Sequence, residues 1–167
     1  MPLLPQTRIL AVAPCSRGFG FAMMDGKEVL ADWGVKTVKK AKNASALTKL
    51  KEMILHFDPD VIVLHDLSAD DSRRSARVRR LGGQISALAS RHKVSMRLFS
   101  REELKEIYFP DAQGTKHELA EVMAKEFPAE LGHRLPPKRR PWMSEDYRMS
   151  IFEAVALALA LRRSKTR

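Results

Sequence analysis

Five arginines lie within the nine residues 72–80, and no acidic residue separates them. On a helix, the side chains at positions 73, 77 and 80 share one face, because residues three or four positions apart are neighbours on the helix surface. Guanidinium groups form paired hydrogen bonds with phosphate oxygens, so this face could contact successive phosphates of a nucleic acid. The phosphate-binding prediction covers Arg73, Arg74, Arg77 and Arg80, and the alternative is a face exposed only to water.

A second basic segment, residues 136–142, has three cations between prolines and ends in an indole. Cations suit contacts with the phosphate backbone, and an aromatic ring suits stacking on a base. The predicted nucleic-acid contacts here are Lys138, Arg139, Arg140 and Trp142. The alternative for Trp142 is that it packs into the core as an anchor.

The overall charge favours the same kind of partner. Thirty lysines and arginines stand against twenty acidic residues, for a net charge of +10. Such a charge attracts polyanions, although it could also serve only solubility.

Cys15 is the single cysteine, which excludes an intrachain disulfide and suits a reducing, cytoplasmic location. The longest apolar run, residues 154–161, is too short to span a membrane, so no membrane partner is expected.

The hydrophobic pattern predicts one α/β domain over residues 1–167. Strands are predicted at 9–13, 19–24, 29–35, 61–64 and 94–99, with a hairpin turn at Asp25-Gly26. The run at 61–64 has no polar alternation, which is typical of a central strand covered on both faces.

The helix signals fall between and after the later strands. Apolar spacing through Leu47, Leu50, Ile54 and Leu55 predicts a helix that ends at Asp58-Pro59, and a second helix is predicted at 72–92. Ser100 with Glu103, and Thr115 with Glu118, match capping boxes. A basic, proline-rich extended loop is predicted at about 128–143, before a last helix that opens at Ser144.

This order of elements resembles the RNase H-like superfamily, in which three antiparallel strands precede two parallel strands joined through helices. The segment Arg8–Ala22 resembles the opening of RuvC-type Holliday-junction resolvases, where the first strand ends in Asp-Pro-Gly-Ser/Thr. This sequence has Ala13 where that family has its first metal-binding aspartate, and Cys15 where it has glycine. The resemblance implies a five-stranded mixed sheet flanked by helices, and a catalytic set that lacks its first ligand.

The resemblance also assigns the remaining site positions. The family's second carboxylate matches His65 or Asp66, and its acidic motif on the last helix matches residues 150–154, which keep Glu153 but have Ser150 in place of an aspartate. A lysine that lies near the DNA strand in the family matches Lys116. Arg17 would reach the mouth of the cleft, or would be a solvated turn arginine.

In that family, two divalent cations roughly 4 Å apart must hold the attacking and leaving oxygens, and they need carboxylate ligands. An alanine at position 13 cannot bridge them. One competing prediction is a relocated Mg or Mn site formed by Asp66, Asp146 and Glu153, with His65 as a further ligand and Lys116 at the phosphate. It assumes that Asp146 and Glu153, seven residues apart, share one face of the last helix. The alternative is that Asp146 only complements the helix dipole.

Three functions remain open from the sequence. The first is a protein that binds nucleic acid, with branched or structured DNA as the expected partner and with cleavage lost or altered. The second is a metal-dependent endonuclease on branched DNA that uses the relocated site, and the third is a structural subunit whose arginines meet an acidic protein. The resemblance alone also suggests a homodimer.

Overall fold

The computed structural model describes residues 7–26, 28–66 and 75–164. Within them, five strands form one mixed sheet in the order β3-β2-β1-β4-β5. β1 and β2 pair antiparallel, as do β2 and β3, whereas β4 is parallel to both β1 and β5. The strands are β1 (Ile9–Cys15), β2 (Gly18–Asp25), β3 (Val29–Thr37), β4 (Val61–His65) and β5 (Ser95–Phe99). This is the predicted fold class.

The helices cover both faces of this sheet. The two cores that result are separated by the alternation of side chains along β1: Ile9, Ala11 and Ala13 face α6, while Leu10 and Val12 face α1 and α2. The helices are α1 (Lys42–Phe57), α2 (Ala76–Arg91), α3 (Arg101–Tyr108), α4 (Lys116–Glu126), α5 (Pro128–Leu131) and α6 (Met149–Ser164).

Helix α6 lies at the centre of one core. Eleven of its sixteen residues are buried, which is typical of a helix that is apolar around its whole circumference. It contacts β1, β2, β4 and α4. Its first turn comes so close to β2 that a Cβ built on Gly20 would lie 2.4 Å from the carbonyl carbon of Ser150. Gly20 is therefore required for this helix to reach the sheet.

The structure confirms several predictions that rest on local sequence signals. Gly26, in the predicted hairpin turn, has a positive φ of 66°. Ser100 and Thr115 each form the complete capping box with Glu103 and Glu118. These caps fix the starts of α3 and α4, and α4 carries Lys116 at its first position.

Three predictions were wrong. Residues 128–134 form α5 and a 3₁₀ turn rather than an extended loop, because Pro128 occupies the first turn of a helix, where its missing N–H costs nothing. The last helix begins at Met149 and not at Ser144. Leu55 is 66% exposed on α1 and takes no part in the core.

Substitution of Gly20 by alanine tests the contact between β2 and α6. We expect Gly20→Ala to lower the free energy of unfolding by about 1–3 kcal/mol, because the new methyl group overlaps the Ser150 backbone. Gly83→Ala is the matched control: apart from the chain neighbours and the backbone of its own helix, nothing lies within 4 Å of its new Cβ, and a helical alanine should stabilise the protein by about 0.5–1 kcal/mol. Urea unfolding measures both, and equal effects would contradict the proposed contact.

Candidate nucleic-acid interface

A cleft of about 640 Å³ opens at the edge of the sheet where β4 ends. The parallel pairing places the carboxyl ends of β1, β4 and β5 at this edge, where ligands bind in many α/β proteins. His65 and Asp66 enter the cleft from β4, Lys116 and His117 from α4, and Glu153 from α6. Lys138 and Arg139 border it from the segment before α6. The structure thus brings together His65, Asp66, Lys116, Asp146 and Glu153 from four parts of the chain.

The innermost polar contact in the cleft joins His65 to Glu153. His65 Nε2 lies 2.8 Å from Glu153 Oε1, and the two side chains are only 12% and 11% exposed. Each group meets a hydrogen-bonding requirement of the other in a place that water reaches poorly. Two positions that the resemblance assigned to metal ligands are therefore bonded directly to each other.

Ala13 is part of the core. Its side chain is 1% exposed and belongs to the apolar cluster that contains Phe152. Its partner across the β1–β2 pair is Gly20, which lies against Ser150 of α6. Position 13, which the resemblance matched to the family's first carboxylate, is thus part of the packing between the sheet and the helix.

Asp146 lies before α6, so the argument that placed it on one helix face with Glu153 was wrong. Its carboxylate accepts hydrogen bonds from Arg148 Nε at 3.0 Å and from Arg148 Nη2 at 2.7 Å. It also accepts the Arg148 backbone N–H at 2.9 Å. The hydrogen bonds from the Arg148 side chain hold the pKa of Asp146 below its usual value. The carboxylate is therefore engaged by this arginine.

Lys116 is paired across the cleft. Its Nζ lies 3.3 Å from both carboxylate oxygens of Glu145, and both side chains are partly exposed. Exposed ion pairs of this kind contribute little to stability. A phosphate could therefore compete with Glu145 for this lysine.

The donor set does not fit the two-metal arrangement that the resemblance implies. In the part of the chain that the structure describes, no three His, Cys, Asp or Glu side chains are grouped so that they could hold a metal ion. Glu153 is bonded to His65, Asp146 is held by Arg148, and Ala13 offers no ligand atom. The Mg or Mn site stays a prediction without geometric support among these residues.

Four other cations at the cleft have no acidic partner within residues 7–26, 28–66 and 75–164. They come from α3 and from the segment before α6, and all line the cleft: Arg101, Lys105, Lys138 and Arg139. Three of the acids at the cleft, in contrast, are already engaged by Lys116, Arg148 and His65. The unpaired charge that faces the cleft is positive.

The predicted arginine face has a mixed outcome. Arg77 donates from Nη1 to the Asn43 side chain at 3.1 Å, and Asn43 donates back to the Arg77 carbonyl at 3.0 Å. Arg77 thus joins α2 to α1. Arg80 is exposed, and Arg73 and Arg74 lie outside the described residues.

Arg17 and Trp142 are both exposed. Trp142 is 76% exposed, which excludes the alternative that it is a core anchor. The Arg140 guanidinium lies 5.6 Å from the centre of its ring. Arg17, in the β1–β2 turn, lies 4.2 Å from the centre of the Tyr147 ring.

The sequence reasoning missed a group of lysines beside Arg17. Four lysines fall within seven residues, Lys36–Lys42, and this density was the signal that could have revealed them. Backbone N–H of Val38 donates to the Arg17 carbonyl at 2.7 Å, and Lys42 Nζ donates to the Ser16 carbonyl at 2.8 Å. These contacts attach the segment to the turn after β1, which extends the positive charge along the same edge of the sheet.

The overall structure matches solved resolvase structures. The chain has the RuvC-like fold. The Thermus thermophilus RuvC structure matches with a TM-score of 0.65 at 16% identity, over 92% of each chain. The T. thermophilus RuvC in complex with a Holliday junction substrate matches with a TM-score of 0.67 at 16% identity, over 95% of this chain and 97% of that one.

The yeast mitochondrial Holliday junction resolvase Ydc2 matches with a TM-score of 0.68 at 12% identity, over 99% of this chain and 81% of that one. No protein-family model and no curated protein matches the sequence. At these identities, the likeness supports the RuvC-like fold and leaves activity to be argued from the site.

Removal of one member of the His65–Glu153 pair should cost more than removal of both. We expect Glu153→Leu or His65→Leu alone to lower the free energy of unfolding by about 3 kcal/mol, because the remaining polar group is left buried. The double variant should lose less than the sum, since two apolar side chains can pack together. Urea unfolding of the unchanged protein, the two single variants and the double variant gives the coupling energy. Strictly additive losses would show that the contact does not contribute to the free energy of unfolding.

Proposed function

We propose that this protein binds branched or otherwise structured DNA in its cleft without efficient cleavage. The observation that carries the proposal is the charge at the cleft: among the described residues, four lining cations have no acidic partner, whereas three lining acids are each engaged by a neighbour. Phosphates bound there would neutralise Arg101, Lys105, Lys138 and Arg139 and release counterions from the DNA.

The positive charge extends beyond the cleft. Lys36, Lys39, Lys40 and Lys42 stand beside Arg17 at the same end of the sheet. A linear duplex presents its phosphates along one helix axis, whereas a branched DNA offers phosphates on several arms that point in different directions. A second group of cations outside the cleft therefore favours a branched ligand.

The loss of efficient cleavage is argued from the inner cleft. Two-metal hydrolysis needs carboxylates that can face the metals, and Ala13 is an apolar core residue. A cation that used His65 Nε2 or Glu153 Oε1 as a ligand would first have to break the contact between them. No observation in the described residues favours the relocated metal site, so the active endonuclease is kept as an outcome of the tests.

Other aspects of the function remain predictions. Within the described residues, no helix is long and apolar enough to cross a membrane. Cytoplasmic location and a homodimer both stay predictions.

The charge proposal is tested by the salt dependence of binding. We expect a labelled four-way DNA junction to bind more tightly than a linear duplex of equal length, with affinity that falls steeply as salt rises. The double variant Lys138→Ala/Arg139→Ala should reduce the slope of log affinity against log salt by roughly 2, about 1 for each lost phosphate contact. Fluorescence anisotropy between low and moderate salt measures both.

The matched control is Lys51→Ala/Arg91→Ala, which removes the same charge from the groove between α1 and α2. It should leave the slope near that of the unchanged protein. Equal effects of the two double variants would show that net charge, and not the cleft, governs binding. If the partner were an acidic protein instead of DNA, the protein would bind the junction no more tightly than the duplex.

A further inference from the structure

An aromatic group is exposed beside the cleft in the segment before α6. Trp142 is 76% exposed and Tyr147 is 37% exposed, with the exposed Met143 between them. Large aromatic side chains are normally buried to a large degree, and burial of one stabilises a protein considerably. An exposed indole on a segment that folds back to line a cleft indicates a surface for contact.

The backbone that carries these rings is held in place. The Met143 backbone N–H donates to the Arg140 carbonyl at 2.9 Å, which closes a turn around Trp142. The Tyr147 carbonyl accepts a hydrogen bond from Ser150 Oγ at 2.7 Å, which ties it to the start of α6. The rings are therefore presented by a partly fixed segment, which lowers the entropy lost when a ligand binds.

Each ring has an arginine against it. Arg140 lies 5.6 Å from the centre of the Trp142 ring, and Arg17 lies 4.2 Å from that of Tyr147. A guanidinium over an aromatic ring restricts the ring and places positive charge beside its remaining surface. That combination favours a flat ligand that carries negative charge, and it disfavours an apolar protein surface.

We infer that Trp142 and Tyr147, with Arg140 and Arg17, form a stacking site for unpaired bases of a branched DNA. Bases within a duplex are stacked on each other and expose only their edges, whereas unpaired bases expose a face to an aromatic ring. The phosphates that flank such bases would meet Arg139 and Arg140 in the same segment. The inference rests on the proposed function and specifies which part of the DNA the segment contacts.

The test compares two labelled DNA probes of equal length. One is a duplex with three consecutive unpaired thymines on each strand at its centre, and the other is fully paired. Trp142→Ala should bind the probe with unpaired bases roughly tenfold more weakly, and it should bind the paired duplex as the unchanged protein does. Trp142→Phe keeps a ring and should restore most of the lost affinity.

The matched control is Leu55→Ala, which removes an exposed apolar side chain from α1. It should change neither affinity. A second readout uses Trp33→Phe, which leaves Trp142 as the remaining one of the two tryptophans in the chain. Its fluorescence should be quenched by the probe with unpaired bases and not by the paired duplex.

The outcomes separate this inference from the proposed function. Binding of both probes by the unchanged protein, with no selective loss in Trp142→Ala, would overturn the stacking site and leave the phosphate contacts standing. Equal weakening on both probes would also overturn it, because a stacking contact requires unpaired bases. Absence of binding to the probe with unpaired bases, while the four-way junction is still bound, would overturn the stacking site, whereas absence of binding to the junction as well would overturn the proposed function itself.

Discussion

The packing of α6 against β1 and β2 is the constraint on which the rest of the structure depends. It buries most of the helix and requires glycine at position 20, where the Ser150 backbone meets the sheet. The same packing places Glu153 beside His65 at the end of β4. It also encloses Ala13 in the apolar cluster. The inner surface of the cleft is therefore determined by how one helix meets three strands.

This arrangement separates the binding of DNA from its hydrolysis in physical terms. Cations on surface segments can attract phosphates without any exact geometry, because electrostatic attraction acts over several ångströms. Two-metal hydrolysis instead needs carboxylates held at defined positions inside the cleft. Ala13 offers no carboxylate at the end of β1, and the bond between His65 and Glu153 satisfies internally two groups that would otherwise need a cation or water. The cations at the rim are unaffected by either change.

The features that the sequence predicted depend on local rules. Hydrophobic runs predicted the strands, and capping boxes predicted the starts of α3 and α4. The Asp25-Gly26 pair predicted the turn in which Gly26 has a positive φ. The predicted start of α6 at Ser144 was wrong. Arg148 donates hydrogen bonds to the Asp146 carboxylate and holds it in the segment before the helix, and the residue type at position 144 carries no information about that contact. The pairing of Arg77 with Asn43 and the exposure of Trp142 depend on distant segments, so no local pattern contains them. Spacing could thus place the site at the end of β4 but could not give its internal pairings.

The central claim is that the cleft binds a DNA junction and does not cleave it efficiently. The most direct measurement incubates a labelled four-way junction with the protein in Mn²⁺, in Mg²⁺ and in EDTA, and follows binding on native gels and strand cleavage on denaturing gels. The account predicts that binding is as tight in EDTA as with either metal, and that the strands remain intact. Metal-dependent cleavage that disappears in Asp66→Ala would contradict it and establish a working metal site in this fold.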